Sequence, residues 1–118
     1  MLTALVLSAT VALTPSLALA HARAMVNYAL GSDGAAHFRS VELRALGPDM
    51  VFCGQVNTRD ADGRLSGWRE VMIVVSGNPG GRAVLTGDAG YKRDIIRAGC
   101  RHGVRVDRRN YAAVLSVP

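Results

Sequence analysis

The residues with the greatest chemical capacity in this 118-residue chain are two cysteines and three histidines. Cys53 and Cys100 could form a disulfide bridge, act as a thiol nucleophile or bind a metal. No C-x-x-C motif or His–Cys cluster surrounds either cysteine, and this spacing disfavours a metal site. An even number of cysteines in a chain that enters an oxidising compartment is typical of a bridge. We therefore predict that Cys53 and Cys100 are bonded to each other.

The first twenty residues have the pattern of a secretion signal. They carry no charged side chain, and an apolar stretch over residues 2–13 is interrupted at Pro15. The segment Ala18-Leu19-Ala20 then fits the small-x-small cleavage pattern. The apolar stretch is short for a spanning helix, which disfavours an uncleaved membrane anchor. We predict a signal peptide over residues 1–20 and one small domain over residues 21–118, localised in the periplasm or secreted.

The histidines raise the possibility of copper binding. Cleavage after Ala20 would make His21 the first residue, and an N-terminal histidine can chelate copper through its amine and imidazole. His37 or His102 would have to supply a second ligand. The competing interpretation is that His21 becomes the first residue by accident of the cleavage site, and we predict no resident cofactor.

A second chemical alternative is a small secreted ribonuclease-like hydrolase. Such an enzyme needs a carboxylate base, a histidine acid and an arginine for the phosphate, and Glu42 or Glu70 could be the base. The segment Arg109-Asn110-Tyr111 lies where microbial ribonucleases carry a His-Tyr pair, but Asn110 cannot donate the required proton. The sequence therefore favours a non-enzymatic structural or binding module over an enzyme.

The net charge of +5 arises in the C-terminal third of the chain. Residues 21–91 are neutral overall, whereas the segment 92–109 has seven cations against Asp94 and Asp107. This asymmetry favours an anionic partner, so we predict an anionic envelope component or a protein partner. The alternative is a solvated cationic face without a specific ligand. The candidate binding residues are Lys92, Arg93, Arg97, Arg101, Arg105, Arg108 and Arg109.

The elements that would position these residues are read from hydrophobic spacing. Apolar residues between Ala22 and Leu30 recur at helical spacing, and a single helical turn is expected through Ala35, Ala36 and Phe38 after a cap at Ser32 or Asp33. Strands are predicted over residues 41–46, 51–57, 68–76 and 83–85. The third of these is apolar on both faces and includes Trp68, so we place it centrally, with Trp68 in the core.

A second helix is predicted to begin with Asp88 as its cap and to end near Gly99-Cys100. The tail could then supply a last edge strand, because apolar residues recur from Val104 to Val117. Strands grouped together with helices at the ends indicate an α+β fold. We predict a small antiparallel sheet of four to five strands, one or two short helices and one disulfide.

Three segments form a recognisable pattern: Phe38-Arg39-Ser40-Val41, then Cys53-Gly54-Gln55-Val56-Asn57, then Gly63 with Gly67-Trp68. The chain resembles a group of small exported proteobacterial proteins with the pattern F-R-x-V, V-C-G-x-V-N and G-x-x-x-G-[FYW]. It departs from them where Arg64-Leu65 replaces the usual Gly-Tyr. The resemblance implies periplasmic residence and a Cys53–Cys100 pairing, and it implies no particular activity.

The residues of this pattern have structural interpretations of their own. Gly54 is expected to let a neighbour pack close to the bridge, and Asn57 to hydrogen-bond the backbone of the following loop. Gly63 and Gly67 are expected to set the turn, because glycine adopts positive φ without steric cost.

Overall fold

The computed structural model describes residues 13–31 and 36–116, which form five strands, three α-helices and one short 3₁₀ helix. In chain order these are α1 (Pro15–Leu30), β1 (Ala36–Leu46), β2 (Asp49–Thr58), β3 (Arg69–Val75), a 3₁₀ turn (Pro79–Gly81), β4 (Ala83–Thr86), α2 (Gly90–His102), β5 (Val104–Arg105) and α3 (Ala112–Ser116). The strands form one antiparallel sheet in the order β4-β3-β2-β1-β5. The predicted α+β fold is confirmed, with one short helix more than expected.

The sheet is covered on both faces. Strand residues alternate between the faces, so β2 sends Phe52 towards α1 and α3 and the neighbouring Cys53 towards α2. The larger core lies on the first side, named here the α1 face, where Leu43, Phe52 and Ile73 are fully buried. The smaller cluster lies on the α2 face. Because both sides are covered, β3 is apolar on both faces, as predicted.

Helix α1 begins seven residues earlier than its apolar spacing predicts. Pro15, expected to interrupt the apolar stretch, instead begins the helix, because proline fits the first helical position where no backbone N–H is needed. The Thr14 hydroxyl accepts a hydrogen bond from the Leu17 backbone at 3.1 Å and caps the helix. The buried stripe that packs on the sheet is Ala18, Ala22 and Val26. The helix therefore crosses the predicted cleavage position after residue 20.

No helix within residues 13–31 and 36–116 is both long enough and apolar enough to span a bilayer.

Strand β1 contains a bulge at Ser40 and Val41. The pairing register shifts between Arg39 and Glu42, and Ser40 has a left-handed φ of 54°. Two residues of β1 thus oppose one residue of β2, and the bulge returns Val41 to the face occupied by Phe38. The helical turn predicted at Ala36 and Phe38 is wrong, because pairing with β2 overrides the helical preference of the alanines. The expected cap at Ser32 or Asp33, and Ala35, lie outside the described residues.

Gly54 is the residue of β2 that opposes the bulge. A Cβ placed on it would lie 2.7 Å from Val41 Cγ2, 2.9 Å from Val41 Cα and 3.0 Å from the Ser40 carbonyl oxygen. Two of these three atoms belong to the backbone and cannot rotate away. The expectation that Gly54 admits a close neighbour is confirmed, and that neighbour is the bulge itself.

The predicted disulfide is confirmed. Cys53 and Cys100 are bonded, with their Cα atoms 6.0 Å apart and a sequence separation of 47. The bridge joins the central strand β2 to the last turn of α2. In the chain-entropy model, closing a loop of this length stabilises the folded state by about 4 kcal/mol.

The predicted start of α2 is wrong. Ala89, not Asp88, precedes the first helical residue, and no side chain among the described residues caps the helix. Asp88 instead lies 2.9 Å from the Arg69 side chain and accepts a hydrogen bond from the Thr86 hydroxyl. The carboxylate of Asp88 thus links β3 to the end of β4. The helix continues to His102, two residues beyond its predicted end.

The predicted tail strand is also largely wrong. Only Val104–Arg105 pairs with β1, and residues 112–116 are helical. Asn110 explains the change: its Oδ1 accepts from Val41 N–H at 3.1 Å and from Ala112 N–H at 3.0 Å. One side chain therefore accepts hydrogen bonds from the backbone at the bulge and from the first residue of α3. Val117, the last residue of the predicted strand, lies outside the described part of the chain.

Tyr111 fixes the tail in the core. Its side chain is buried, and its ring packs edge-on against Phe52 with the centroids 5.3 Å apart. Burial, followed by the hydrogen bond that its hydroxyl donates to Asp107, raises the pKa of Tyr111 above its ordinary value. The same hydrogen bond is the main cause that lowers the pKa of Asp107.

We predict that Gly54→Ala destabilises the protein because its methyl group forces the Val41 and Ser40 backbone away. Overpacking of this kind costs about 1–3 kcal/mol. Urea unfolding followed by circular dichroism measures the change. Gly77→Ala is the matched control, since a Cβ there meets nothing within 4 Å. Equal effects of the two substitutions would contradict the account of Gly54.

We predict that the free energy of unfolding falls in alkaline solution because of Tyr111. Above about pH 10 the unfolded chain releases a tyrosine proton that the folded chain retains, so stability is lost as pH rises towards the folded pKa. Urea unfolding at several pH values should give a flatter alkaline profile for Tyr111→Phe than for wild type. Tyr28, which is 95 % exposed, provides the control. Tyr28→Phe should lose stability with rising alkaline pH to the same extent as wild type. An unchanged profile for Tyr111→Phe would contradict the argument.

Candidate functional site

A row of polar side chains crosses the α2 face of the sheet. Arg39 of β1 pairs with Gln55 of β2, and Gln55 pairs with Glu70 of β3. Directly opposed residues in antiparallel strands share a face, so the three side chains lie side by side. The apolar contacts of α2 lie beside this row, around Cys53 and Met72. The polar row thus borders the helix and is not covered by its apolar side.

Arg39 is held in place from two directions. Its Nε donates to Gln55 Oε1 at 2.6 Å, and its guanidinium carbon lies 4.2 Å from the centroid of the Trp68 ring. Guanidinium groups are attracted to the face of an indole ring, so the contact orients Arg39 at the sheet surface. Trp68 itself is 40 % exposed, and the prediction of a core tryptophan is wrong. Trp68 precedes β3, which begins at Arg69, and its ring lies at the surface against Arg39.

The loop before β3 positions Trp68. Asn57 is buried at the end of β2, and its Oδ1 accepts a hydrogen bond from Gly67 N–H at 2.9 Å. Gly63 and Gly67 have φ angles of 79° and 113°, which other residues rarely adopt. The roles predicted for these three residues in the turn are confirmed. Their geometry places the residue after Gly67 beside the polar row.

Helix α2 provides the opposite wall. Arg97 Nε lies 3.3 Å from Glu70 Oε1, and Arg93, one helical turn earlier, lines the same depression. A second depression adjoins the first, shares Glu70 and Arg97, and reaches the disulfide. Their volumes are about 210 and 220 Å³. We name the two together the Glu70 groove, bounded by Gln55, Trp68, Glu70, Arg93, Arg97 and Glu42.

The seven predicted anion-binding cations extend around one edge of the sheet. Lys92, Arg93, Arg97 and Arg101 lie on α2 and Arg105 lies on β5, next to β1. Arg108 and Arg109 follow in the segment that leads to α3, on the other side. They form a belt from the α2 face around the β5 edge.

Some of these cations are already paired. Arg105 lies 3.3 Å from Glu42, which also pairs with Arg44 at 2.8 Å. The Arg109 guanidinium lies 4.9 Å from the centroid of the Tyr111 ring. Arg97 is paired with Glu70. Within the described ranges, no ion pair involves the remaining four cations of the belt, so the belt retains an excess of positive charge. These remaining cations are Lys92, Arg93, Arg101 and Arg108.

The three histidines occupy different parts of the fold. His21 lies on α1, beside a mostly apolar depression that includes Leu17 and Arg82. His102 is the last residue of α2, on the opposite face of the sheet, and His37 is on β1. In the part of the chain that the structure describes, no three His, Cys, Asp or Glu side chains are grouped to hold a metal. Copper binding through His21 stays a prediction.

The residues considered for a hydrolase are not gathered around one position. Glu70 and Glu42 both border the groove, but Glu70 lies against Arg97 and Glu42 is engaged by Arg44 and Arg105. Asn110 serves the backbone of the bulge and of α3. Among the described residues lining the groove there is no histidine that could act as an acid.

Sequence reasoning missed Arg39 and Gln55 as members of a site. The alternation of Cys53, Gln55 and Asn57 along β2 places all three on the α2 face, and this signal was present in the sequence. The contribution of Arg39 depends on the register before the bulge, which the spacing of apolar residues did not reveal.

Comparisons with known proteins give no assignment: no family model, no curated protein and no solved structure matches the chain.

Proposed function

We propose that this protein is an exported, non-enzymatic binding module whose basic belt attracts an anionic component of the cell envelope. The observation that carries the proposal is the exposed stripe of arginines on α2. Arg93, Arg97 and Arg101 are spaced by four residues, so they lie on one side of the helix, and all three are exposed. Such a stripe presents several guanidinium groups to one extended anionic surface.

The charge of α2 supports this proposal. Four cations and one carboxylate, Asp94, give the helix a net charge of +3. Arg105 and Arg109 contribute less, because Glu42 and Asp107 lie beside them. We therefore expect Arg101 and Arg108, which have no described ion-pair partner, to contribute strongly to long-range attraction.

Export is part of the proposal and rests on the sequence pattern of residues 1–20, together with the resemblance to small exported proteins. The disulfide is consistent with an oxidising compartment. Cleavage after Ala20 would leave residues 21–30 of α1, which keep Ala22 and Val26 as buried contacts with the sheet. The remaining helix would thus still cover part of the α1 face.

We predict that Arg101→Gln/Arg108→Gln weakens binding to vesicles that contain anionic lipid. Each basic residue near such a surface contributes about 1 kcal/mol, so the double variant should bind about thirtyfold more weakly at low salt. Vesicle co-sedimentation measures this change, with uncharged phosphatidylcholine vesicles as the baseline. Arg23→Gln/Arg64→Gln removes the same charge outside the belt and is the matched control. Equal losses in both variants would show that only net charge matters and would oppose a role for the belt.

We predict that protein from a periplasmic extract has an intact mass that begins at His21. It should carry no reactive thiol until reduction, because Cys53 and Cys100 are bonded. Mass spectrometry with and without reduction and alkylation measures both properties. A mass that includes residues 1–20 would contradict cleavage and leave α1 complete.

A further inference from the structure

We propose that the Glu70 groove binds a small phosphate monoester that carries a hydroxyl group next to the ester. This inference rests on the proposed preference for anionic partners and assigns it a specific site and ligand class. The groove differs from the rest of the basic belt because it is a depression with a defined floor and wall, in which cations surround the carboxylate of Glu70.

The net positive charge of the groove favours a ligand with two negative charges. Arg93 and Arg97 line the first depression, and Arg39 lies against two of its lining residues, Gln55 and Trp68. Glu70 is the one carboxylate among the described lining residues, so these three cations leave two positive charges uncompensated. Arg69 also lines the depression, but its charge is compensated by Asp88 at 2.9 Å. A phosphate monoester carries close to two negative charges at neutral pH. It therefore compensates the groove more completely than a carboxylate or a phosphodiester.

The Glu70 carboxylate favours a ligand that also carries a hydrogen-bond donor. Its Oε1 is near Arg97, whereas its Oε2 is buried and has no hydrogen-bond partner among the described residues. A buried acceptor without a partner destabilises the folded state. A hydroxyl group of the ligand would satisfy Oε2 after a small rotation of the Glu70 side chain towards the groove. Phosphate oxygens cannot do so, since they are acceptors at neutral pH.

The floor of the groove is organised in advance. Gln55 and the Trp68 ring hold Arg39 before any ligand arrives, so little side-chain freedom remains to be lost there on binding. On the other wall, the Arg97 side chain is 55 % exposed and makes one ion pair within the described part of the chain. A planar guanidinium can bind Glu70 and a phosphate oxygen together, because it has five N–H donors.

The ligand chemistry has two sources, a soluble metabolite and a lipid headgroup. Glycerol 3-phosphate and lysophosphatidate vesicles present the same phosphate and neighbouring hydroxyl in these two forms. Ethyl phosphate has the same charge and no hydroxyl group. Trp68 is the only tryptophan in the sequence, so its fluorescence reports the groove directly. We expect glycerol 3-phosphate to bind about tenfold more tightly than ethyl phosphate, through one hydrogen bond to a charged acceptor.

Substitutions test the two halves of the proposal separately. Glu70→Gln should reduce the preference for glycerol 3-phosphate to about twofold and strengthen ethyl phosphate binding, since it removes a repulsive charge. Arg93→Gln should weaken both ligands, whereas Arg108→Gln, outside the groove, should weaken neither. Thermal unfolding of each variant establishes that it is folded. Resonances of the Gln55 side-chain amide, followed by NMR, provide a second readout.

The outcomes distinguish the sources and the two proposals. Binding of lysophosphatidate vesicles but not glycerol 3-phosphate would assign the groove to a lipid headgroup, and the reverse to a soluble ligand. If neither ligand changes Trp68 fluorescence or the Gln55 resonances, or if Glu70→Gln keeps the full preference, the groove proposal is overturned. The proposed envelope binding would survive that result if anionic vesicles still bind through Arg101 and Arg108. If the vesicles do not bind, both proposals are overturned.

Discussion

The bulge in β1 is the constraint on which the rest of the structure depends. By inserting Ser40, it lets Phe38 and Val41 share the α1 face while Arg39 points to the opposite face, next to Gln55. It also leaves the Val41 backbone unpaired with a strand, and Asn110 and Tyr111 bind there. Gly54 is required across the ladder because no Cβ fits. Core, tail and groove are thus set by one irregularity in one strand pair.

The two faces of the sheet differ in how they are covered and stabilised. On the α1 face, two helices and the buried ring of Tyr111 close a continuous apolar core. On the α2 face, a single helix covers a small cluster around the disulfide and leaves polar residues at its side. Ordinary packing stabilises the first face, and a covalent bond supplements the second. This division permits charged residues beside α2 without a cost to the main core.

The sequence predicted the fold class, the first four strands and the disulfide, since alternation and cysteine parity are local signals. It failed at Phe38, Asp88 and the tail, where a long-range contact decides the outcome. The tail departs from the predicted strand where the Asn110 side chain binds the backbone of Val41, 69 residues away. The cations were identified from composition, but the Glu70 groove requires the register of three strands. The position of α1 across residue 20 likewise depends on packing that a cleavage motif does not encode.

The attachment of α2 has a consequence for the groove beside it. The helix is tethered covalently at Cys100, whereas no described side chain caps its first turn, and that turn carries no acidic residue to offset the helix dipole. Fraying therefore begins at the end that carries Arg93, and its amides should exchange with solvent sooner than those near the bridge. The groove has a stiff floor of paired strands and one compliant wall. A ligand that contacts both would stiffen the first turn of α2 as it binds.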